Sequence, residues 1–477
     1  MTFIDQTIVA IAVPDIQREL SLSATGSQWV INGYLLALSA LFALGGRLGD
    51  VLGRRRMVIL GVGAFAVTSG LAGFTPTGAV AQTWIIAVRV LQGAAAALLF
   101  PAAVGIVAAA FPQRERGRAM AIFFAIAGGM TAIGPIAGGY LTQWTWRSIF
   151  WINIPVAIVA LALIHRTADD TETRPQRLDH RGTALITGAM GLIVLGLQQS
   201  AAWGWGNVAT WGSLAAGALL GLAFVRRELR VADPLMRLQV FRERAFAADT
   251  AVLGLLSVVF VPFFFFASLY AQVSLGATAT DAGLYLLVFF LGYVVMSQLG
   301  GRILDERGAR PAIVLGSALS AVGLFLLAGR LADLSLSHQW LFVALAGGGI
   351  GLTLTPASTD ALNRASSAAY SEVTGITQTS RNFGASLGLA VLGAILVART
   401  DSNVARALTA DGVPAGIAHR IAASFGSGAA PAGHSATLVH DVQLAFAHST
   451  QTVFYVMAAV MAATFLISLI WVPRHSA

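Results

Sequence analysis

The chain has 477 residues, 56% of them apolar and 11% charged, with a net charge of +8 and a mean hydropathy of +0.75. Soluble domains carry about 25% charged residues, so a soluble globular fold is excluded and a polytopic membrane protein is predicted. It has no cysteine and no lysine, which excludes disulfides, cysteine metal sites, the P-loop lysine of an ATPase and a pyridoxal Schiff base.

Apolar runs near the ~20 residues that cross a bilayer recur along the whole length. They predict fourteen helical spans: near 1–17, 28–50, 57–75, 82–110, 118–141, 149–165, 182–200, 208–225, 246–271, 282–303, 311–331, 339–360, 372–398 and 450–472. The first begins at Met1, holds Asp5 and closes at Pro14. It is short for a bilayer and has no signal-peptide pattern, which points to a start upstream or a trimmed chain. A carboxylate in a span costs roughly 2.5–3.5 kcal/mol, so Asp5 is expected to have a function or a partner. Span two holds Asn32 and Tyr34, and span four holds Arg89-Val90-Leu91-Gln92-Gly93. An intramembrane arginine needs a carboxylate, water or carbonyls, and Asp5 is the natural partner. Span five carries Gly134-Pro135-Ile136-Ala137-Gly138-Gly139, where proline bends the helix and Gly134 and Gly138 offer a small-residue face. Span nine is aromatic at Phe260, Phe263, Phe264, Phe265 and Phe266, mostly read as lipid-facing, with Phe263 a candidate for the cavity. Span thirteen contains a charge, Arg381, read as binding a polar network or an anionic group. Segment 400–447 reads as a long outer loop whose His434, like His440 and His448, is solvated. Asp5 is the one carboxylate placed inside a span; Asp360 and Glu372 read as helix-end groups. This argues mildly against dicationic guests.

Arginine falls in alternate loops: Arg54 to Arg56; Arg114, Arg116 and Arg118; Arg166, Arg174, Arg177 and Arg181; Arg226 to Arg244; Arg307 and Arg310. By the positive-inside rule those loops and both termini are cytoplasmic. The basic excess is therefore a topology signal, and a nucleic-acid partner is not expected, since no single basic stripe forms.

Two stretches are near-copies. Gly45-Gly46-Arg47-Leu48-Gly49-Asp50-Val51-Leu52-Gly53-Arg54-Arg55 aligns without a gap on Gly300-Gly301-Arg302-Ile303-Leu304-Asp305-Glu306-Arg307-Gly308-Ala309-Arg310, a shift of 255 residues. Eight predicted spans separate the copies where a simple six-helix repeat would place six. The chain is thus read as an N-terminal six-helix bundle (1–165), linkers with two extra helices (166–245) and a C-terminal six-helix bundle (246–477).

Together these motifs resemble the fourteen-span drug/proton antiporters of the major facilitator superfamily. Ile4-Asp5-Gln6-Thr7 to Pro14 is similar to the family's first-helix signature, Arg89 to Gly93 to its fourth-helix element and Gly134 to Gly139 to its antiporter motif. The repeat is similar to its cytoplasmic gating motif, here Gly46, Asp50, Gly53, Arg54 and Arg55, then Gly301, Asp305, Gly308 and Arg310. Trp29-Val30-x-x-x-Tyr34 and Trp146-Arg147-x-x-Phe150-x-Ile152-Asn153-x-Pro155 are further family-like fragments. Met130 departs from an earlier glycine of the antiporter motif. The resemblance implies the all-α major facilitator fold, proton coupling at Asp5 and Arg89, and a cavity near Asn32, Tyr34, Gln92 and Phe263. It implies export of lipophilic compounds, including antibiotics made by the host, from a bacterial cytoplasmic membrane. The partners expected are lipid, protons and lipophilic small molecules, for a monomer driven by the proton gradient without cofactor or metal. No residue set has enzyme-like spacing. Proton-coupled transport of one metabolite and a non-transporting membrane sensor stay open as alternatives.

Overall fold

A computed structural model describes residues 1–111, 113–167, 178–231, 233–363, 370–410, 414, 416 and 436–473. Its principal helices are α1 (Thr2–Leu20), α2 (Ala24–Leu52), α3 (Arg54–Gly73), α4 (Ala81–Ala110), α5 (Gln113–Thr142), α6 (Ser148–Trp151), α7 (Asn153–Thr167), α8 (His180–Trp203) and α9 (Val208–Glu228). After a linker come α10 (Arg244–Val273), α11 (Ala279–Arg307), α12 (Ala309–Arg330), α13 (Trp340–Asn363), α14 (Tyr370–Ala410) and α15 (Ala436–Trp471). Local chemistry sets several starts. The side chains of Ser23, Asp179, Asn207 and Thr278 accept main-chain N–H groups at the amino ends of α2, α8, α9 and α11. Gly53 and Gly308, with φ of 98° and 79°, make the tight turns after α2 and α11, a conformation that favours glycine.

Among the described residues, twelve helices are long and apolar enough to cross a membrane: α2, α3, α4, α6 with α7, and α8 to α15. The chain is a multi-pass membrane protein. Helices α1 and α5 occupy the two remaining predicted positions but fall outside that set. In α1 the reason is plain: Asp5, Asp15, Arg18 and Glu19 dilute its apolar content, and most of its surface is buried against protein.

Packing repeats between the halves. Helix α1 lies on α5 as α10 lies on α14; α2 on α4 as α11 on α13; α3 on α4 and α7 as α12 on α13 and α15. The halves meet along α2–α14, α5–α11 and α1–α10. The extra pair α8 and α9 pack on each other, and α8 also touches both α2 and α14. The all-α architecture is therefore two pseudo-symmetric six-helix bundles with a helix pair inserted between them in sequence.

Two expectations are corrected. The aromatic run of α10 faces protein, not lipid: Phe260 to Phe266 are buried, and the Phe263 ring stacks on Phe289 at 4.4 Å between centroids. The outer segment 400–447 is helical at both ends, because Val404, Ala405 and Leu408 bury an apolar face and Asn403 bonds the Ser449 hydroxyl at 3.0 Å. His434, Arg174 and Arg177 lie outside the described residues, as do the side chains of Arg114, Arg116, Arg118 and Glu372.

Candidate functional site: a buried ion pair and the seams around it

Three helices converge on one polar cluster in the N-terminal half. Asp5 on α1 and Arg89 on α4 are both fully buried, with Arg89 Nη1 2.5 Å from Asp5 Oδ2. Gln92, one turn along α4, accepts from Arg89 Nη1 at 2.7 Å and donates to Asp5 Oδ1 at 3.2 Å. The guanidinium Nε donates to the Val30 carbonyl of α2 at 2.8 Å. Its central carbon lies 4.5 Å from the centroid of the Tyr34 ring and 5.8 Å from that of Phe150, so two aromatic faces also hold the cation. The cluster continues outward: Gln92 donates to Ser69 Oγ at 3.3 Å, Asn153 donates to the same oxygen at 3.0 Å, and that hydroxyl donates to the Phe150 carbonyl at 2.8 Å. Arg89 Nη2 has no hydrogen-bond partner.

The energetics of such a site are asymmetric. A buried pair costs desolvation on both ions, and the attraction roughly offsets it. Neutralising one member is different, because it leaves the other charge uncompensated, at about 3–5 kcal/mol. A proton arriving on Asp5 would do that to Arg89. The guanidinium would then hold on through Val30, Gln92 and the rings, or move. The arrangement ties α1, α2 and α4 together through one buried charge pair.

The sequence matches the family model described as Major Facilitator Superfamily over residues 1–389 and 250–477. The chain belongs to the major facilitator superfamily. It is therefore a transporter by family, not an enzyme. It is 34% identical to the tetracenomycin C resistance and export protein of Streptomyces glaucescens, over 96% of this chain and 87% of that one. It is 33% identical to the puromycin resistance protein of Streptomyces alboniger, over 89% and 86%. A solved bacterial homologue of the human lysosomal transporter Spinster, in an inward-facing unoccupied conformation, superposes with a TM-score of 0.66 at 15% identity, over 99% of this chain and 95% of that one.

Helix α5, which carries Gly134 to Gly139, lies on two seams at once. A Cβ added at Gly134 would fall 1.9 Å from Thr7 Oγ1 of α1, and one at Gly139 would fall 2.8 Å from the Ala279 carbonyl of α11. Pro135 offers its carbonyl side to Gly283 of α11, and Gly138 packs on Ile8. At that end Gln143 donates to Thr280 Oγ1 at 2.5 Å, and Thr280 donates to the Gly139 carbonyl at 3.1 Å. The small residues let α5 touch its own half and the other half together.

The two near-copies share a positive-φ glycine turn but not all contacts. Asp50 pairs with Arg54 at 3.0 Å, and Arg54 also donates to the Gly105 carbonyl of α4 at 3.0 Å. Asp305 is exposed, and Ala309 stands where Arg54 does. Arg55 donates to the His165 carbonyl of α7, and Arg310 to the Leu469 carbonyl of α15, so each pins the last helix of its own half. In each copy the close helix approach falls on the first glycine of the pair, Gly45 or Gly300. A Cβ at Gly45 would lie 1.9 Å from the Ala97 carbonyl and one at Gly300 3.1 Å from Pro356, whereas Gly301 has nothing within 4 Å.

The residues expected along a substrate cavity sit in buried networks and in the aromatic core. A small cavity lies between α1, α2, α4 and α14, and none of Asn32, Tyr34, Gln92 and Phe263 lines it. Gln92 belongs to the ion-pair network. Tyr34 covers Arg89 and donates to the Thr2 carbonyl at 3.3 Å. Phe263 is aromatic core. Asn32 is buried, takes a hydrogen bond from Ser386 of α14 and touches the Gln198 amide of α8. Turned with its oxygen toward α2, that Gln198 amide accepts from the Trp29 indole at 3.1 Å. Arg381 does line the cavity.

Sequence reasoning missed Ser69, Gln198 and Asp249. The first two are ordinary polar residues in apolar runs, with no pattern to mark them. Asp249 falls inside the predicted span 246–271 and is fully buried within α10, so Asp5 is not the one carboxylate inside a span. The argument against dicationic guests loses its basis accordingly.

Proposed function

We propose that this chain is a proton-coupled antiporter of the fourteen-span branch that exports lipophilic antibiotics or drugs across a bacterial cytoplasmic membrane, with both termini inside. The observation that carries the coupling is the fully buried Asp5–Arg89 pair bridged by Gln92. The printed names of the relatives, which concern antibiotic resistance and export, support the direction and the cargo. In this reading a proton from outside neutralises Asp5, frees Arg89 and lets α4 shift against α1 and α2. Return of the proton to the cytoplasm restores the pair. The close seams α5–α11 and α2–α14 are where one half rocks on the other.

One proton moving down 100 mV is worth about 2.3 kcal/mol. That sustains roughly fiftyfold accumulation of a neutral solute, at 1.4 kcal/mol per tenfold. The test uses proteoliposomes loaded with a lipophilic dye and given an imposed proton gradient. Asp5→Asn is expected to abolish gradient-driven dye movement while leaving downhill exchange. Undiminished gradient-driven transport by the mutant would sink the coupling assignment; no gradient-driven transport by the wild type, across a panel of lipophilic compounds, would sink the export reading.

A further inference from the structure

The cavity between α1, α2, α4 and α14 has two unlike walls. One is aromatic: Phe3, Phe42 and Phe100, with Phe3 and Phe42 centroids 5.1 and 5.6 Å from that of Phe100. The other is polar and built by Gln378, Arg381 and Asn382 of α14, with Thr2 and Gln6 of α1 adding uncharged polar groups to the lining. Positions 378 and 382 are one helical turn apart, so the two amides flank the guanidinium on one face.

Arg381 differs from Arg89 in what it lacks. Its Nη1 donates to Gln378 Oε1 at 2.9 Å, but its Nε is shut off from solvent with no hydrogen-bond partner. Among the described residues no carboxylate forms an ion pair with it. A cation in a membrane span is costly without a counter-charge. Here the bonded edge faces an amide, and the edge made by Nε and Nη2 is the one that takes a carboxylate in two parallel hydrogen bonds. A charge of this kind, set beside three phenylalanines, fits a guest with an anionic head and an aromatic or apolar body.

We propose, building on the export reading, that Arg381 anchors the anionic group of the exported molecule, so that the preferred cargo is an amphiphilic organic anion. Gln378 and Asn382 supply further donors, and Phe3, Phe42 and Phe100 receive the body. At about 20 Å³ the cavity holds about one water, whereas a drug-sized guest needs some hundreds of Å³. Admission therefore requires the halves to part along α2–α14, which brings Arg381, on the α14 side, into the opened space.

The test compares 1-pyrenebutyrate with its uncharged methyl ester. Binding is read on full-length protein in nanodiscs by tryptophan quenching against empty nanodiscs, and export by energised uptake into everted vesicles. The wild type is expected to bind the carboxylate at least about tenfold more tightly than the ester, the scale of one charged hydrogen bond. Arg381→Gln is expected to remove that preference while leaving ester binding within about twofold, and Arg381→Lys to regain part of it. A wild type without preference for the carboxylate overturns the proposal, as does Arg381→Gln weakening acid and ester equally, which marks a structural arginine. Charge-selective binding without energised uptake of either compound keeps the anion site and counts against export. Energised export of the ester with no preference for the acid keeps export and removes the site.

Discussion

The same place in the two halves is built from opposite materials. Adding 255 to the residues of the buried pair gives Phe260 for Asp5, Ala344 for Arg89 and Phe289 for Tyr34. In the N-terminal half those positions make an ion pair under an aromatic face. In the C-terminal half they make packed rings: Phe260 and Phe289 centroids are 6.2 Å apart, and Phe263 and Phe264 close around them. Yet the turns that begin α3 and α12 keep the same glycine geometry, and Arg55 and Arg310 each pin the last helix of their own half. The scaffold repeats; the chemistry does not. In the proposed cycle, rocking uses two similar bodies whereas binding one proton uses one polar site, and a second ion pair in the other half would add desolvation cost without need.

The sharpest way to break this comparison is to remove one ion. Arg89→Ala leaves Asp5 buried and unpaired and is expected to cost about 3–5 kcal/mol, read as a fall in thermal unfolding temperature in detergent. Arg89→Ala combined with Asp5→Ala should recover part of that loss. A single mutant as stable as the wild type would mean the pair is not desolvated. Next comes the close approach before each turn. Gly45→Ala drives a methyl onto the Ala97 carbonyl, 1.9 Å away, whereas Gly300→Ala meets Pro356 at 3.1 Å. The first should cost about 1–3 kcal/mol and the second clearly less; equal losses would show that the two turns are packed alike.

The inserted pair belongs to neither half and supplies a third case. Asp179 caps α8 and receives two parallel hydrogen bonds from Arg227 of α9, at 2.8 and 3.0 Å. Burial pushes its carboxyl up, but the Arg227 hydrogen bonds, the Gly182 N–H and the Arg227 charge outweigh burial and hold it below its ordinary value. Its stabilising contribution is thus full at neutral pH and is lost as pH falls below about 4. Asp179→Ala should lower stability by about 1 kcal/mol at pH 7, with the gap closing in strong acid; a gap independent of pH would count against the pair. The smallest effect is expected at the ion pair that the second copy lacks. Arg54→Ala should cost at most about 1 kcal/mol, because Asp50 and Arg54 are 32% and 27% exposed. Asp305→Asn should stay within about 0.5 kcal/mol.

Much of this was legible in sequence because the membrane makes few messages loud. Long apolar runs gave the helices, and a repeat with eight spans between its copies gave the inserted pair. Asp5 and Arg89 stood out as charges where charges are costly. What stayed hidden depends on which face of a helix meets which neighbour. Phenylalanine in a span reads alike whether it faces lipid or core, so the burial of Phe263 could not be seen. Asn32 looked like a cavity residue because nothing in the chain announces that Gln198 and Ser386 close upon it. The α14 and α15 extensions were hidden by Arg399, Asp401, Arg406, His440 and Asp441, which break an apolar run without ending a helix.

The contact among Asn32, Gln198 and Ser386 has a consequence for speed. Asn32 links α8 to α2 and α2 to α14 at one buried point, and α8 also packs directly on α14. A strap fastened at both ends cannot follow two bodies as they separate. Each turnover that opens the α2–α14 seam must unfasten one end, at the cost of a buried hydrogen bond, about 1–3 kcal/mol. Those bonds join neutral groups, which salt does not screen. In the proposed cycle the inserted pair then acts as a latch that sets how often the two halves part unprompted.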